Sequence, residues 1–435
     1  LRQRDVFFFF FLIIILLLFY EFAEITDINL VILGSCFTIV FCILYTAGNP
    51  SLAIVLFALS PIFPQIMRKA FDMSLINDLS VFFLLMCFII CINYMLGKYR
   101  RLSIPMDYLV MILLFFLVML IGALRSYYTF GNMSLARSLV TYFLKPVMLI
   151  GIYFFSYNLC LRVNKTPLVY ILTILYSVII FSFFWDRFTY GFSDKLHSGY
   201  IGTGNTVGNL MIVALPIFFG ISRLVKRNFL VRIFPVFAVL VITLSLSRGS
   251  IFALIIMAIT YIVFKTKLHF LVKGVVFVNG GVLIWAFLSE KISHYLSHIS
   301  GLTTIDISAY STGRNILWAR VFEYLSVPIR FLVGGGTNGF VWFNLSHYQI
   351  ALNTQNHFLK IWADYGLVGL TVVLYLYFQI ARTCLSGIRS KTIEVKTLSW
   401  SILFSMLGFF AVGMFSHFEV GSMHLSLFWL VLGWV

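Results

Sequence analysis

The chain has 435 residues, of which 61% are hydrophobic, 18% aromatic and only 11% charged, with a mean hydropathy of +1.01. A soluble domain carries roughly 25% charged residues, so this composition leaves no room for a separate soluble domain. The formal net charge of +16 would suit nucleic acid, but the basic residues do not gather in one patch, and nucleic acid is not an expected partner.

Apolar runs of about 20 residues, enough to cross a bilayer at 1.5 Å per helical residue, recur along almost the whole length. They are continuous rather than alternating, which excludes a barrel. The expectation is an all-α polytopic membrane protein with about fourteen transmembrane helices (twelve to fourteen), near 6–20, 28–48, 51–67, 79–96, 106–124, 139–160, 168–185, 206–222, 231–247, 250–264, 269–288, 366–382, 399–415 and 420–435. The first run follows "LRQRD" and lacks a small-x-small cleavage site, so it reads as a retained span; Leu1 in place of an initiator methionine suggests a trimmed start. There is no convincing internal repeat. The six cysteines are scattered, and even Cys87 and Cys91, on one helix face, have no His or carboxylate beside them and read as packing residues.

The loops between these runs separate by charge. Arg2, Arg4, Lys98, Arg100, Arg101, Arg162, Lys165, Arg223, Lys226, Arg227, Arg232, Lys265, Lys267, Lys273, Arg382, Arg389, Lys391 and Lys396 fall on one side, with both termini. The positive-inside rule makes that side cytoplasmic. It places two long segments, 186–205 and 289–365, on the outer face. The chain thus divides into residues 1–288 with spans 1–11, a long outer loop at 289–365, and residues 366–435 with spans 12–14. Structureless loops that long are uncommon unless they have a function.

Polar residues concentrate on this outer face. Lys145, in "YFLKPVML", lies about 9 Å below the outer end of the sixth span at 1.5 Å per residue. An embedded lysine is a functional candidate, snorkelling to the interface is the plainer account, and Pro146 beside it can kink the span. "TGNTVGNLMIVALP" (203–216) opens the eighth span on polar residues. "SLSRGS" (245–250) puts Arg248 at the joint of two spans, either as a helix-end anchor or, with its small neighbours, as a place where a ligand meets the backbone.

In the long loop, "STGRNILWARVFEYL" (311–325) predicts a short amphipathic helix with Ile316, Ala319, Val321 and Phe322 on its apolar side. Arg314 falls in its first turn, where positive charge opposes the macrodipole but suits a phosphate; a solvated surface residue is the alternative. "VGGGTNGFVW" (333–342) lacks the Lys-Ser/Thr of a P-loop and reads as a tight backbone reversal. "NTQNHFLKIWADYGLVGL" (353–370) then crowds Gln355, Asn356 and His357 before the twelfth span, as an interfacial cap or as groups that bind sugar hydroxyls. No Asp-x-Asp, His-Glu-x-x-His or Cys-x-x-Cys motif appears, and the acidic first loop (Glu21, Glu24, Asp27) reads as a solvated linker, so metal chemistry and cofactors are not expected.

The order "SRGS", a long outer loop with Arg-x-x-x-Trp ("RNILW"), "GGGTNGF", then a polar pair and "FLKIWADYGLVGL" resembles the superfamily of O-antigen ligases and Wzy-type O-antigen polymerases. Recognisable motifs span about residues 200–370; the first half matches in hydropathy alone. The resemblance implies a GT-C-like, metal-independent glycosyltransferase of the bacterial inner membrane, with both termini cytoplasmic and a periplasmic active site. Its donor would be an undecaprenyl-pyrophosphate-linked oligosaccharide, and a chain-length regulator and a flippase are the partners it suggests. On this basis Arg248, Arg314, Gln355 and His357 are the candidate catalytic residues, and Lys145, Asn205, Asn356 and Arg187 the candidate substrate-binding residues. The ligase pattern of His-Asn/Ser/Gln, nine residues and Gly places Gln355 where the ligase has histidine. That departure favours a repeat-unit polymerase over a ligase or protein O-oligosaccharyltransferase. A lipid-linked-sugar transporter would spread polar groups through the midplane and show repeats, which this chain does not.

Overall fold

The structure is a computed structural model that describes residues 106–130, 143, 151–154, 156–158, 165–191, 204–225, 229–265, 314–349, 353–414, 416 and 426–435. The predicted spans 1–4 and 11, and Lys145, lie outside the described residues. In chain order the helices are α1 (Met106–Phe130), α2 (Lys165–Tyr190), α3 (Gly204–Leu224), α4 (Phe229–Leu244), α5 (Arg248–Lys265), α6 (Arg314–Leu325), α7 (Pro328–Val333), α8 (Gly339–Tyr348), α9 (His357–Ile388), α10 (Ile393–Gly413) and α11 (Ser426–Leu432). Among the described residues there is no strand. Among the described residues, four helical segments, 172–190 of α2, 205–224 of α3, α9 and α10, are long and apolar enough to cross a membrane; α1, α4 and α5 contain shorter apolar helices.

Helix α3 sits at the centre, packed against α4, α5, α10 and α11. Its sequence explains this: Val207, Leu210, Met211, Ile212, Val213, Ala214, Ile217, Phe218 and Ile221 are all buried, on every side of the helix. A helix that is apolar all round belongs inside a bundle. By contrast α9 turns one face to α1 and α10 and leaves Leu367, Val368, Leu374, Tyr375, Phe378 and Leu385 exposed, as the bilayer requires of a peripheral span.

Helix α9 has 32 residues, about 48 Å at 1.5 Å each, against a hydrocarbon core of about 30 Å. It divides at Gly366, whose φ of 69° and ψ of −173° interrupt the helix. The predicted start of the twelfth span at 366 therefore coincides with a break inside a longer helix that begins at His357. The break frees carbonyls of the preceding turn, and the glycine-rich turn supplies their donors: Gly335 N–H donates to Ala363 O and Gly336 N–H to Asp364 O, both at 3.0 Å. The approach is backbone on backbone. A Cβ at Gly366 would lie 2.3 Å from Leu332 O, and one at Gly334 (φ 78°) 2.3 Å from Asp364 O.

The long loop is folded wherever it is described. Helices α6, α7 and α8 pack on the first turns of α9 around Val321, Tyr324, Leu325, Phe340 and Ala363. The predicted amphipathic helix forms, but its buried face differs from the expected one. Leu317, Val321, Tyr324 and Leu325 are buried, while Ile316 is 43% and Phe322 54% exposed and Ala319 is also exposed. The helix carries two apolar stripes, and the one with period i, i+4, i+7, i+8 meets the protein.

Candidate active site

The two ends of the bundle differ in chemistry. One end carries Arg223 in the last turn of α3, Arg232 near the start of α4, Lys265 at the end of α5, and Lys396 in the first turn of α10. The other carries Asn205 and Asn209 of α3, the Ser245–Ser250 joint, and Met414 and Ser416 beyond α10. Tyr176 packs on Phe234 and Phe184 on Phe237, so α2 runs beside α4 in the same direction. Arg187 therefore lies toward the end with the serine joint.

At this joint the chain turns through Leu246, left-handed at φ 55°, between α4 and α5. Ser245, Ser247 and Ser250 are buried, as is Asn209. Ser250 Oγ donates to Asn209 Oδ1 at 2.8 Å and lies 2.8 Å from Ser247 Oγ. Asn209 Nδ2 reaches Ser416 Oγ at 3.4 Å. Gly208 makes the approach possible, because a Cβ there would stand 2.6 Å from Ser245 Oγ and 2.8 Å from Ser250 Oγ. Arg248, the first residue of α5, is half-buried and lies next in the chain to this hydrogen-bonded floor.

The polar threshold meets the same end. Gln355 adopts φ 54° and is half-buried, and Asn356 is extended (φ −149°, ψ 128°), so neither belongs to the helix. The separation of Gln355 and His357 is thus set by a turn rather than by helical geometry. Asn356 caps α9: its Oδ1 accepts from Phe358 N and Leu359 N at 3.0 Å, and its Nδ2 donates to Met414 O at 3.2 Å. Loss of such a cap costs about 1 kcal/mol. His357 is fully buried, its Nε2 3.3 Å from the Tyr377 hydroxyl and its ring edge-on to Phe409 at 4.9 Å. Thr354 Oγ1 donates to Asn356 O at 2.8 Å, and Trp318 Nε1 donates to Thr354 O at 3.0 Å.

These hydrogen bonds form a path whose two halves are joined by the chain between Met414 and Ser416. It runs from Trp318 on α6 through Thr354 and Asn356 to Met414, then through Ser416 and Asn209 to Ser250 on α5. It brings together the serine joint that bears Arg248, the threshold with Gln355, Asn356 and His357, and the first turns of the helix that Arg314 opens. Asn205 is exposed in the first turn of α3. Arg187 is fully buried in the last turn of α2, with its guanidinium 5.0 Å from the Phe183 ring centroid.

Beside this path stands a clamp that the sequence analysis did not single out. Lys360 Nζ lies 3.0 Å from Asp364 Oδ2 and donates to Asn338 Oδ1 at 2.8 Å; Asn338 N–H donates to Asp364 Oδ1 at 3.0 Å. Asn338 is held left-handed at φ 59° by this arrangement. The (i, i+4) spacing of Lys360 and Asp364 was the available signal. Burial, with the Asp364 carboxylate nearby, raises the Tyr324 phenol above its ordinary range. Arg320 also has a structural task, since it donates to the buried Asn344 Oδ1 at 3.1 Å and covers the Tyr348 ring at 3.8 Å. Among the described residues, no three of His, Cys, Asp and Glu converge.

No family model matches the chain. Over 131 residues it is 29% identical to a UDP-N-acetylglucosamine--N-acetylmuramyl-(pentapeptide) pyrophosphoryl-undecaprenol N-acetylglucosamine transferase of Buchnera aphidicola subsp. Baizongia pistaciae, a stretch that covers 24% of this chain. The chain spans about a third of that relative, 36% of its length.

Proposed function

We propose that the protein is a glycosyltransferase that polymerises undecaprenyl-pyrophosphate-linked repeat units of O-antigen or a similar surface polysaccharide at the periplasmic face of the inner membrane. In this reading the 435-residue chain has about fourteen spans in a GT-C-like arrangement. The observation that carries it is the contact path that gathers the Arg248 joint, the opening turns of the Arg314 helix and the Gln355–His357 threshold at one end of the bundle, away from the basic end. The partial similarity to a named N-acetylglucosamine transferase agrees with glycosyl transfer in general.

The chemistry follows from what these groups can do. A hydroxyl of the incoming lipid-linked unit forms a bond to the anomeric carbon of the growing chain as the bond from that carbon to the pyrophosphate oxygen breaks, and the hydroxyl proton leaves with the pyrophosphate. Negative charge grows on the leaving pyrophosphate, and Arg248 and Arg314 supply fixed cations to meet it. Gln355, held outside the helix at the threshold, orients the acceptor sugar, with Asn205 at the same end as a further hydrogen-bonding group. Asn356 and His357 act as positioning residues: one caps α9 and the other seats its first turn against Tyr377 and Phe409. Gln355 occupies the position where the ligase pattern has histidine, which favours the polymerase over the ligase. Loss of the gene tests this on a gel of surface polysaccharide. A core bearing a single repeat unit is expected, and complete loss of repeats from the core would assign the protein as a ligase instead.

A further inference from the structure

At the basic end of the bundle, α3, α4, α5 and α10 part to leave a slot of about 600 Å³. This falls within the range of about 300–1,000 Å³ for ligand sites. Its walls are apolar, formed by residues such as Leu215, Val239, Leu254, Met257 and Phe404. Pro216 of α3 and Pro235 of α4 line it too. Each proline removes one helical hydrogen bond and pushes its helix off a straight course.

The mouth is cationic. Arg223 and Lys396 line it, both exposed. Arg223 is held in place: its Nη2 donates to the Tyr261 hydroxyl at 2.8 Å and its guanidinium lies 4.6 Å from the Phe219 ring centroid. Glu394, the acidic residue in the first turn of α10, is not among the lining residues. Asn209 and Arg223 stand on the same helix about 20 Å apart at 1.5 Å per residue, so the slot is separate from the candidate active site.

We propose that this slot binds an anionic diacyl phospholipid, with one acyl chain between the helices and the phosphate held by Arg223 and Lys396. An apolar groove between membrane helices takes a hydrocarbon chain, and paired cations at interface depth select the charged headgroup over a zwitterionic one. At about 1 kcal/mol for each cation near an anionic lipid, the preference is about 25-fold. The site does not depend on the glycosyltransferase reading.

Trp400 lines the slot and reports occupancy. The full chain is reconstituted in phosphatidylcholine vesicles containing increasing fractions of acyl-brominated phosphatidylglycerol or, separately, brominated phosphatidylethanolamine. The Trp400 contribution to quenching is obtained by subtracting the Trp400→Phe variant. Half-maximal quenching is expected at about 25-fold lower mole fraction for phosphatidylglycerol. The Arg223→Gln/Lys396→Gln double variant should bring the two lipids together, and Ala258→Phe, which fills the slot from α5, should abolish the Trp400-dependent signal for both. Equal quenching in the unaltered protein, or a preference that survives the double variant, would make the slot ordinary lipid-facing surface and overturn the proposal. Displacement of phosphatidylglycerol by inorganic phosphate, or more strongly by a polyprenyl phosphate than by unlabelled phosphatidylglycerol, would contradict it equally.

Discussion

Asp364→Ala should strongly destabilise the junction between the long loop and α9. In the native protein Lys360 and Asp364 meet at 3.0 Å with their side chains only 6% and 3% exposed, and Asn338 bonds to both. Removing the carboxylate leaves a buried ammonium with Asn338 Oδ1 as its remaining acceptor in this clamp, and takes from Asn338 N–H its acceptor. Breaking one side of a buried pair costs about 3–5 kcal/mol. For a large domain each kcal/mol lowers Tm by about 2 °C, so thermal unfolding of the detergent-purified protein should fall by about 6–10 °C. The Lys360→Met/Asp364→Leu double variant removes both charges and leaves mainly the Asn338 amide and N–H to be satisfied, at about 1–3 kcal/mol. It should therefore be more stable than the single variant. An Asp364→Ala protein that melts within about 2 °C of the native one, or a double variant less stable than the single, would refute the clamp.

Other outcomes follow from the same geometry. Gly366→Ala should destabilise by more than about 2 kcal/mol, read as a lowered Tm, because φ is 69° and the new Cβ meets Leu332 O at 2.3 Å; a neutral effect would show that the kink can relax. In a background free of the native cysteines, single cysteines introduced on α8 should label from the periplasm and Ser390→Cys only from the cytoplasm; periplasmic labelling of Ser390→Cys would invert the orientation. Activity of the purified protein should survive EDTA, and a loss restored by Mg²⁺ or Mn²⁺ would make Glu21, Glu24 and Asp27 a metal site.

The sequence showed the local features more clearly than the tertiary ones. The boundaries of α3, α4 and α5 were legible to within a few residues, because each is a continuous apolar run ended by Gly, Ser or basic residues, whereas α10 begins six residues before the expected span, in a polar first turn and a half. The break at Gly366 was legible as a span boundary, although α9 starts nine residues earlier. A polar helical turn buried under a folded loop carries no hydropathy signal. On α6 both stripes are apolar, and only the packing against α8 and α9 selects Leu317, Val321, Tyr324 and Leu325. The bonds from Asn209 to Ser250 and from Asn338 to Lys360 join residues 41 and 22 positions apart, a distance at which spacing says nothing. Arg320, which the sequence does not single out, bonds to Asn344 and covers the Tyr348 ring.

The most direct measurement is polymerisation in vitro by the purified protein, supplied with the undecaprenyl-pyrophosphate-linked repeat unit. The unaltered protein should produce a ladder of polymer. Arg248→Ala and Arg314→Ala should each lower turnover by about 10²-fold or more, with Lys only partly restoring it because the planar fork is lost. Arg389→Ala, exposed at the opposite end of the bundle, should leave turnover unchanged. Full activity in both Lys variants, or equal loss at Arg389, would show that the pyrophosphate is not held by Arg248 and Arg314.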